Sequence, residues 1–216
     1  MARSARFPPE VRRRSTKGEA ADQDQLSAAW NHRRVAELPA GLPTAVIVTG
    51  PAGSGKTTLA HRLAATIGCP ALSRDEIKEG MVAATPGFVP ELSDPLTVRS
   101  FGLFFAAIRL FLEHGVTLVA EAAFQHENWV RGLEAVQQPI ARLRIVRCQV
   151  APPIARARAE ERRREQPTRA AHDDTGHFSV ERPFEPIRLD APTIDVDTTS
   201  GYRPDLDAIV AFARTP

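Results

Sequence analysis

Apolar and polar residues follow one another in blocks along most of the chain, in the pattern of buried strands that alternate with helices. A continuous apolar run predicts a strand buried on both faces at residues 45–49, and two further strands are predicted at 116–120 and 143–150, with shorter strands at 70–72 and 193–196. Helical spacing predicts helices at residues 57–66, 75–82, 94–114, 127–136, 152–165 and 204–214. Repeated strand–helix units favour an α/β fold with a mostly parallel central sheet, covered on both faces.

Residues 1–40 lack this pattern. They contain eight Arg or Lys and five Asp or Glu, and show almost no apolar periodicity except at 25–38, where one helix could form. Pro39 and Pro43 then mark the boundary with the next segment. We expect a flexible or partly helical basic extension over 1–40 and one domain over 41–216. A protein partner, if there is one, would dock through 1–40.

Composition excludes several classes of protein. The chain has 216 residues, of which 43% are hydrophobic and 25% charged, which is typical of a globular domain. Its net charge of +2 points to no particular partner. We see no secretory signal and no apolar run near the roughly 20 residues of a membrane span, so we expect a cytoplasmic protein without membrane contact. Cys69 and Cys148 have no partners at metal-ligand spacing and are expected to be buried thiols.

One segment carries a specific motif. Gly50-Pro51-Ala52-Gly53-Ser54-Gly55-Lys56-Thr57 matches G-x-x-x-x-G-K-[ST], between an apolar strand and a helix. The glycines let the backbone approach phosphate oxygens, and the loop N–H groups form an anion site with the start of the following helix. Lys56 would hold the β- and γ-phosphates, and the Thr57 hydroxyl would bind Mg²⁺. We expect these residues, with Thr58, to bind ATP.

Two carboxylates follow predicted strands. Glu121 comes after strand 116–120 and Asp75 comes shortly after strand 70–72, so both should emerge at the sheet edge that bears the phosphate loop. Glu121 could hold Mg²⁺ or contact an acceptor. Asp75 could accept the proton of an acceptor hydroxyl, with Arg74 as an acceptor ligand. The same segment also fits a capping box, with Ser73 as N-cap, in which Asp75 favours the helix dipole; both roles can hold together.

The helix predicted over 152–165 is rich in arginine. Its spacing places Arg156, Arg163 and Arg164 near one side, and Arg158 and Arg162 on another. These residues form either a solvated face with local ion pairs or a closing lid, about residues 152–185, whose guanidinium groups neutralise a transferring phosphoryl group. For the lid, we take Arg158 and Arg163 as catalytic candidates and Arg156 as a nucleotide ligand.

Other features favour ordinary structural roles. His172, Asp173, Asp174 and His177 lie in a polar stretch, where contact with the surface or the lid is favoured over metal binding. Residues 101–112 are unusually apolar and predict core packing. Trp129 could belong to the core or line the edge of an acceptor pocket.

In this order, the phosphate loop, Ser73-Arg74-Asp75, the strand-end acid and the Arg-rich helix resemble a P-loop kinase group. That group includes zeta-type toxins, chloramphenicol phosphotransferase and the kinase domain of polynucleotide kinases, and many of its members are known only as ATP-binding proteins. The resemblance spans about residues 43–214. Many relatives carry Asp where this chain has Glu121.

The resemblance implies a P-loop NTPase three-layer sandwich with an Arg-rich helical lid. It also implies that ATP is the donor, that an Asp matching Asp75 activates the acceptor hydroxyl, and that the basic lid matches residues 156–164. The segment 197–202, with Thr199 and Tyr202 as candidate ligands, would lie near the adenine.

Together these observations predict an ATP- and Mg²⁺-dependent phosphotransferase that acts on a hydroxyl of a small molecule such as a nucleotide, a sugar or an antibiotic-like acceptor. A nucleic-acid 5′-end kinase is less favoured, because one Tyr and two Trp offer few platforms for base stacking. The alternative from another class is a nucleotide-dependent switch or assembly ATPase, in which ATP orders loops that a protein partner reads.

Overall fold

The computed structural model describes residues 41–89, 91, 94–134, 141–165 and 183–215. Within them, the strands are β1 (Thr44–Thr49), β2 (Ala71–Ser73), β3 (Leu118–Ala122), β4 (Arg142–Gln149) and β5 (Thr193–Asp197). The helices are α1 (Lys56–Ile67), α2 (Arg74–Ala83), α3 (Pro95–Glu113), α4 (His126–Glu134), α5 (Pro152–Glu165) and α6 (Leu206–Arg214). The residues at 1–40 and 166–182, with the predicted extension, most of the lid loop and the His172–His177 cluster, lie outside the described residues.

The five strands form one parallel sheet in the order β2-β3-β1-β4-β5. After β1 the chain runs to β2 at one edge, and after β3 it crosses β1 to reach β4. The connections that leave the carboxyl ends of β1 and β4 therefore diverge, and open α/β sheets bind ligands at such a crevice. The predicted α/β architecture of the P-loop NTPase type is confirmed.

Two apolar layers cover the sheet. Val46 and Val48 of β1 pack with α1 and α6, while Ala45 and Ile47 of the same strand pack with α3 and α4. Alternate residues of a strand point to opposite faces, so a run that is apolar throughout is buried on both sides. All six residues of β1 are buried, which fixes the strand that carries the phosphate loop in the centre of the fold.

Helix α3 has 19 residues and is apolar enough, by length and composition alone, to span a membrane. In the structure one of its faces packs into the core through Phe104, Phe105, Ile108 and Leu112. This is the core packing that the sequence predicts. The helix begins after Asp94, and Gly115, with a φ of 73°, follows its end as the sequence predicts for a glycine C-cap region.

Strand β3 begins two residues later than predicted. The Val116 N–H donates to the Phe111 carbonyl at 2.9 Å, and the Thr117 hydroxyl accepts the Thr44 N–H at 3.0 Å. These residues therefore complete the end of α3 and the start of β1, and the ladder starts at Leu118. As a consequence Glu121 lies inside β3 and not beyond its end, which corrects the prediction.

Candidate active site

The phosphate loop connects β1 to α1 and is held tightly against its surroundings. Gly53 has a φ of 75°, and a Cβ at this position would collide with the backbone carbonyl of Ala155 in α5. A Cβ at Gly50 would lie 2.6 Å from the Cys148 carbonyl oxygen. Helix α1 begins at Lys56 with no side-chain cap, so its first N–H groups are left for an anion.

The loop after β5 supports the phosphate loop from the other side. The buried Thr198 hydroxyl donates to the Ser54 carbonyl at 2.7 Å and also lies 3.1 Å from the Gln149 carbonyl. Arg158 of α5 donates to the carbonyl oxygens of Thr198 and Thr199, each at 2.9 Å. Thr198 was not among the residues predicted from the sequence. The signal that could have found it is a polar run directly after a predicted strand, at the edge where the phosphate loop lies.

A buried charge network lies at the start of α1. Lys56 Nζ is 3.6 Å from Glu121 Oε1, and both side chains are almost inaccessible. The Ser73 hydroxyl donates to Glu121 Oε2 at 2.8 Å. Ser73 occupies the N-cap position of α2 but makes no side-chain cap hydrogen bond, and Glu76 instead contacts His61 Nε2 at 2.7 Å. The predicted capping box is therefore wrong, because a partner distant in sequence binds each side chain.

Three predicted site residues, together with Ser73, influence the carboxyl group of Glu121. Burial is the main reason that the pKa of Glu121 is raised above its ordinary value. The positive charge of Lys56 opposes this rise in pKa, and the negative charge of Asp75 adds to it. Hydrogen bonds from the hydroxyls of Ser73 and Thr57 lower the pKa in part. Lys56, Thr57 and Asp75 thus all lie close enough to Glu121 to act on its pKa.

Two buried side-chain oxygen atoms lack a hydrogen-bond partner among the described residues: Glu121 Oε1 in this network and Ser54 Oγ in the phosphate loop. Carboxylate and hydroxyl oxygens are the ligand type that Mg²⁺ prefers. The described residues contain no cluster of three or more His, Cys, Asp or Glu side chains that could hold a metal. Mg²⁺ is usually bound by one or two carboxylates together with substrate phosphates. The residues present therefore fit a magnesium nucleotide.

Arg74 and Asp75 lie together at the start of α2. Arg74 Nη1 is 3.3 Å from Asp75 Oδ1, and Nη2 donates to the Thr97 carbonyl at 3.4 Å. The guanidinium carbon lies 6.0 Å from the centroid of the Phe124 ring, close enough for a cation–π contact. The Arg74 side chain is 13% exposed and the Asp75 side chain is 23% exposed. An incoming acceptor could therefore reach them.

An aromatic cluster stands behind this pair and includes Phe101, Phe104, Phe105, Phe124 and Trp129. Trp129 is fully buried and its Nε1 donates to the Thr49 hydroxyl at 3.1 Å. Of the two predicted roles for Trp129, the structure therefore supports the core. Phe101 and Phe124 remain partly accessible, with Arg131 over the ring of Phe101 and Arg74 over the ring of Phe124.

The arginines of α5 differ in their surroundings. Arg158 is fixed to the loop after β5. Its Nη1 lies close to the phosphate loop, since a Cβ built at Gly55 would be 4.0 Å from it. Arg156 is exposed, and Arg164 lies 4.0 Å from Glu160 with both side chains exposed. The Arg163 side chain lies outside the described residues. Of the predicted lid arginines that are described, the structure brings Arg158 to the phosphate loop and leaves Arg156 at the surface.

The predicted adenine segment lies beside the phosphate loop. The Thr199 carbonyl shares the Arg158 guanidinium with Thr198, and the Tyr202 ring packs on the α1 side of the sheet. Arg62 of α1 lies over that ring, with its guanidinium carbon 5.9 Å from the centroid. Burial raises the pKa of Tyr202, so its hydroxyl stays protonated at neutral pH.

A glycine-rich loop between a central buried strand and a helix, beside buried Lys56 and Glu121, defines a P-loop NTPase. The parallel sheet in the order β2-β3-β1-β4-β5 completes that fold class. The chain belongs to the AAA_33 family, described as an AAA domain, which matches residues 46–183. The resemblance to the P-loop kinase group is confirmed at this level.

Several solved structures share the fold. A candidate kinase from Chloroflexus aurantiacus is 24% identical with a TM-score of 0.71, over 81% of this chain and 98% of that one. A sugar kinase from Janibacter is 16% identical with a TM-score of 0.57, over 80% of this chain and 94% of that one. The APS kinase of Mycobacterium tuberculosis, in complex with AMPPNP and APS, is 16% identical with a TM-score of 0.54, over 81% and 99%. At these identities the likeness concerns the fold. Comparison with curated proteins finds no match.

Proposed function

We propose that this protein is an ATP- and Mg²⁺-dependent kinase that transfers the γ-phosphate to a hydroxyl of a small molecule. The observation that carries the proposal is the convergence of Lys56, Thr57, Asp75 and Glu121 at one sheet edge beside the phosphate loop. The shared fold with a sugar kinase and an APS kinase supports it. We further propose that 41–216 acts as one cytoplasmic domain, with 152–185 as its lid.

In this proposal the loop at residues 50–57, with Thr58, holds the phosphates of ATP. Lys56 leaves Glu121 and binds the β- and γ-phosphates, because a phosphate carries more charge than a carboxylate. Thr57 and Glu121 have the oxygens that would hold Mg²⁺, an ion that neutralises phosphate charge when bound. Arg158 would stabilise the charge of the transferring group, Thr199 and Tyr202 would border the base, and Arg156 and Arg163 would act from the lid.

Asp75 is the proposed base. Its carboxylate is partly accessible, beside Arg74, which would bind the acceptor. The acceptor oxygen attacks the γ-phosphorus while the bond between that phosphorus and the β,γ-bridging oxygen breaks. ADP leaves, and the proton of the acceptor hydroxyl passes to Asp75. No covalent enzyme intermediate is required.

The test is mass spectrometry of a metabolite extract incubated with Mg-ATP and the full chain. We expect a new species heavier by one phosphoryl group, absent with Lys56→Ala. Asp75→Asn should leave ATP affinity near normal and reduce transfer by about 10²- to 10⁴-fold, the usual contribution of a general base. Asp207→Asn, at an exposed position of α6, is the matched control. Normal transfer by Asp75→Asn would refute its role.

Two other outcomes identify the alternatives. Steady ATP hydrolysis with no phosphorylated metabolite, stimulated by a protein, would favour the switch ATPase with a partner bound through 1–40. Labelling of a 5′-hydroxyl oligonucleotide, with no labelled metabolite, would favour the nucleic-acid end kinase. Either outcome would overturn the small-molecule proposal.

A further inference from the structure

One face of α3 is exposed although its central residues are apolar. Leu103 is 48% exposed and Leu110 is 57% exposed, and Ala106 lies exposed between them. The opposite face of the helix carries the side chains that pack into the core. Two large apolar side chains on one exposed helix face are therefore left without a partner among the described residues.

The exposed face has a regular pattern. Arg99, Leu103, Ala106, Leu110 and Glu113 are separated by four, three, four and three residues. This spacing places all five on one stripe of the helix and is the seam spacing of a coiled coil. The centre of the stripe is apolar, and its two ends carry opposite charges. We call these five residues the α3 stripe.

We propose that two copies of this protein associate through the α3 stripe, antiparallel, around a two-fold axis near Ala106. In that arrangement Leu103 packs on the partner's Leu110, and Arg99 meets the partner's Glu113. A parallel arrangement would instead place Arg99 against the partner's Arg99. The charge pattern therefore favours the antiparallel pair. Such a pair is isologous, because the same surface is used on both copies.

Local geometry agrees with this pairing. Ala106 is small where the two helices would cross, which allows close approach of their backbones. Glu113 Oε1 accepts from Arg109 Nε at 2.6 Å in the same helix. Its second oxygen can accept from the partner's Arg99. The existing pair thus orients the carboxylate without occupying both of its oxygens.

The expected strength follows from the size of the stripe. From residue 99 to 113, at about 1.5 Å of rise per residue, the stripe is about 21 Å long. A single helix pair of this length buries less than the roughly 1,200 Å² of a stable interface. We therefore expect a concentration-dependent dimer with a Kd on the order of 10 to 100 µM. This proposal does not depend on the kinase proposal.

The first experiment is sedimentation velocity of the full chain between about 1 µM and about 1 mM, the range that brackets the expected Kd. We expect a monomer at the low end and a dimer at the high end. Leu103→Glu should weaken association at least about tenfold, since it buries a charge in the apolar centre. Leu42→Glu changes a residue of nearly equal exposure, 46%, before β1 and should not weaken it. Circular dichroism verifies that both variants are folded.

The second experiment tests the orientation. Glu113→Arg should weaken the dimer, because Arg99 would then face a like charge. The double variant Arg99→Glu/Glu113→Arg should restore it, because the charges are exchanged on both copies. A chain that stays monomeric throughout, an equal effect of Leu42→Glu, or a double variant no better than Glu113→Arg would each overturn the proposal. Leu103-dependent binding to lipid vesicles by a monomer would assign the face to a membrane and overturn it too.

Discussion

A buried ion pair joins α2 to the start of α3, and its energetic role can be measured. Lys78 Nζ lies 2.7 Å from Asp94 Oδ2, and each side chain is 3% exposed. Asp94 also caps α3, with Oδ1 accepting the Thr97 N–H at 2.8 Å. Lys78 is the one buried residue of α2, the helix that carries Arg74 and Asp75. The pair therefore fixes the helix on which the proposed base lies.

The magnitude follows from burial. Removing one member of a buried ion pair leaves the other charge buried without a partner, which lowers the free energy of unfolding by about 3–5 kcal/mol. We expect about 3 kcal/mol for Lys78→Met, the low end, because the Thr97 donors still serve the carboxylate. Asp94→Asn keeps the cap but leaves the ammonium unpaired, and should cost about 3 kcal/mol as well. The double variant leaves no buried charge and should cost at most about 3 kcal/mol, so the coupling energy is at least about 3 kcal/mol.

The assay is urea unfolding of the wild type, the two single variants and the double variant at pH 7, followed by far-ultraviolet circular dichroism. Arg109 and Glu113 form the matched control pair. Arg109 Nε lies 2.6 Å from Glu113 Oε1, but the two side chains are 52% and 38% exposed. An exposed pair of this kind should couple by less than about 0.5 kcal/mol. Equal coupling at the two pairs, or additive losses at Lys78 and Asp94, would refute the reasoning.

Acidification adds an independent test. Burial alone would raise the pKa of Asp94, but the hydrogen bonds and charge of Lys78, with the bonds from Thr97, hold it below its ordinary value. A carboxyl group with a lowered pKa stabilises the fold above its unfolded pKa of about 3.9, and this contribution is lost as the pH falls through the folded pKa. The stability gap between the wild type and Lys78→Met should therefore persist at pH 5 to 7, and narrow in strong acid.

Three further predictions concern the loop and the network around it. Gly53→Ala should cost about 3 kcal/mol or more, while Gly68→Ala, at a similar φ of 82° but in open space, should cost only about 1 kcal/mol, as urea unfolding would show. Ser73→Ala removes a hydrogen bond that lowers the pKa of Glu121, so the acid limb of the kcat–pH profile should move to higher pH; an unmoved limb would contradict this. Burial raises the pKa of Cys148 to about 12, so this thiol should resist a thiol reagent until the protein unfolds, and rapid native labelling would be the contrary result.

Local patterns predicted most of the fold. A continuous apolar run identified β1 to within one residue at each end, because a strand buried on both faces needs apolar side chains throughout. The bounds of β4 were also predicted to within one residue at each end. The phosphate loop was also readable, since its glycines and Lys56 act through a short contiguous segment. Helix α5 was placed at its observed bounds, because Pro152 starts it.

Contacts between distant residues could not be read in this way. Ser73 lies 48 residues from Glu121, so its hydroxyl was taken for a local cap. Asp94 could be recognised as a cap before Pro95, but nothing in the sequence pointed to Lys78 as its partner. Thr198 lies 144 residues from Ser54, so their hydrogen bond could not be predicted from the local sequence either. Each of these bonds depends on the sheet order, which brings separate loops to one edge.

The length of the acidic side chain at position 121 has a structural role in this geometry. In the register of the sheet Glu121 lies opposite Ser73 in β2 and Val48 in β1, so its side chain starts inside the strand. From there it accepts the Ser73 hydroxyl and also reaches Lys56 at the start of α1. An Asp, one methylene shorter, could not keep both contacts. The longer side chain therefore provides Lys56 with a counter-ion before nucleotide binds.

Glu121→Asp tests this account. An Asp carboxylate that stays on the Ser73 hydroxyl no longer reaches Lys56 and leaves a buried, poorly paired ammonium, so the free protein should lose about 3 kcal/mol of stability. Nucleotide phosphates would then replace the missing counter-ion. ADP without magnesium should therefore raise the Tm of the variant more than that of the wild type, and the absence of magnesium separates this effect from any loss of metal binding. Glu113→Asp, on the exposed face of α3, is the control. Equal shifts in Tm for all three proteins would show that Lys56 does not depend on Glu121.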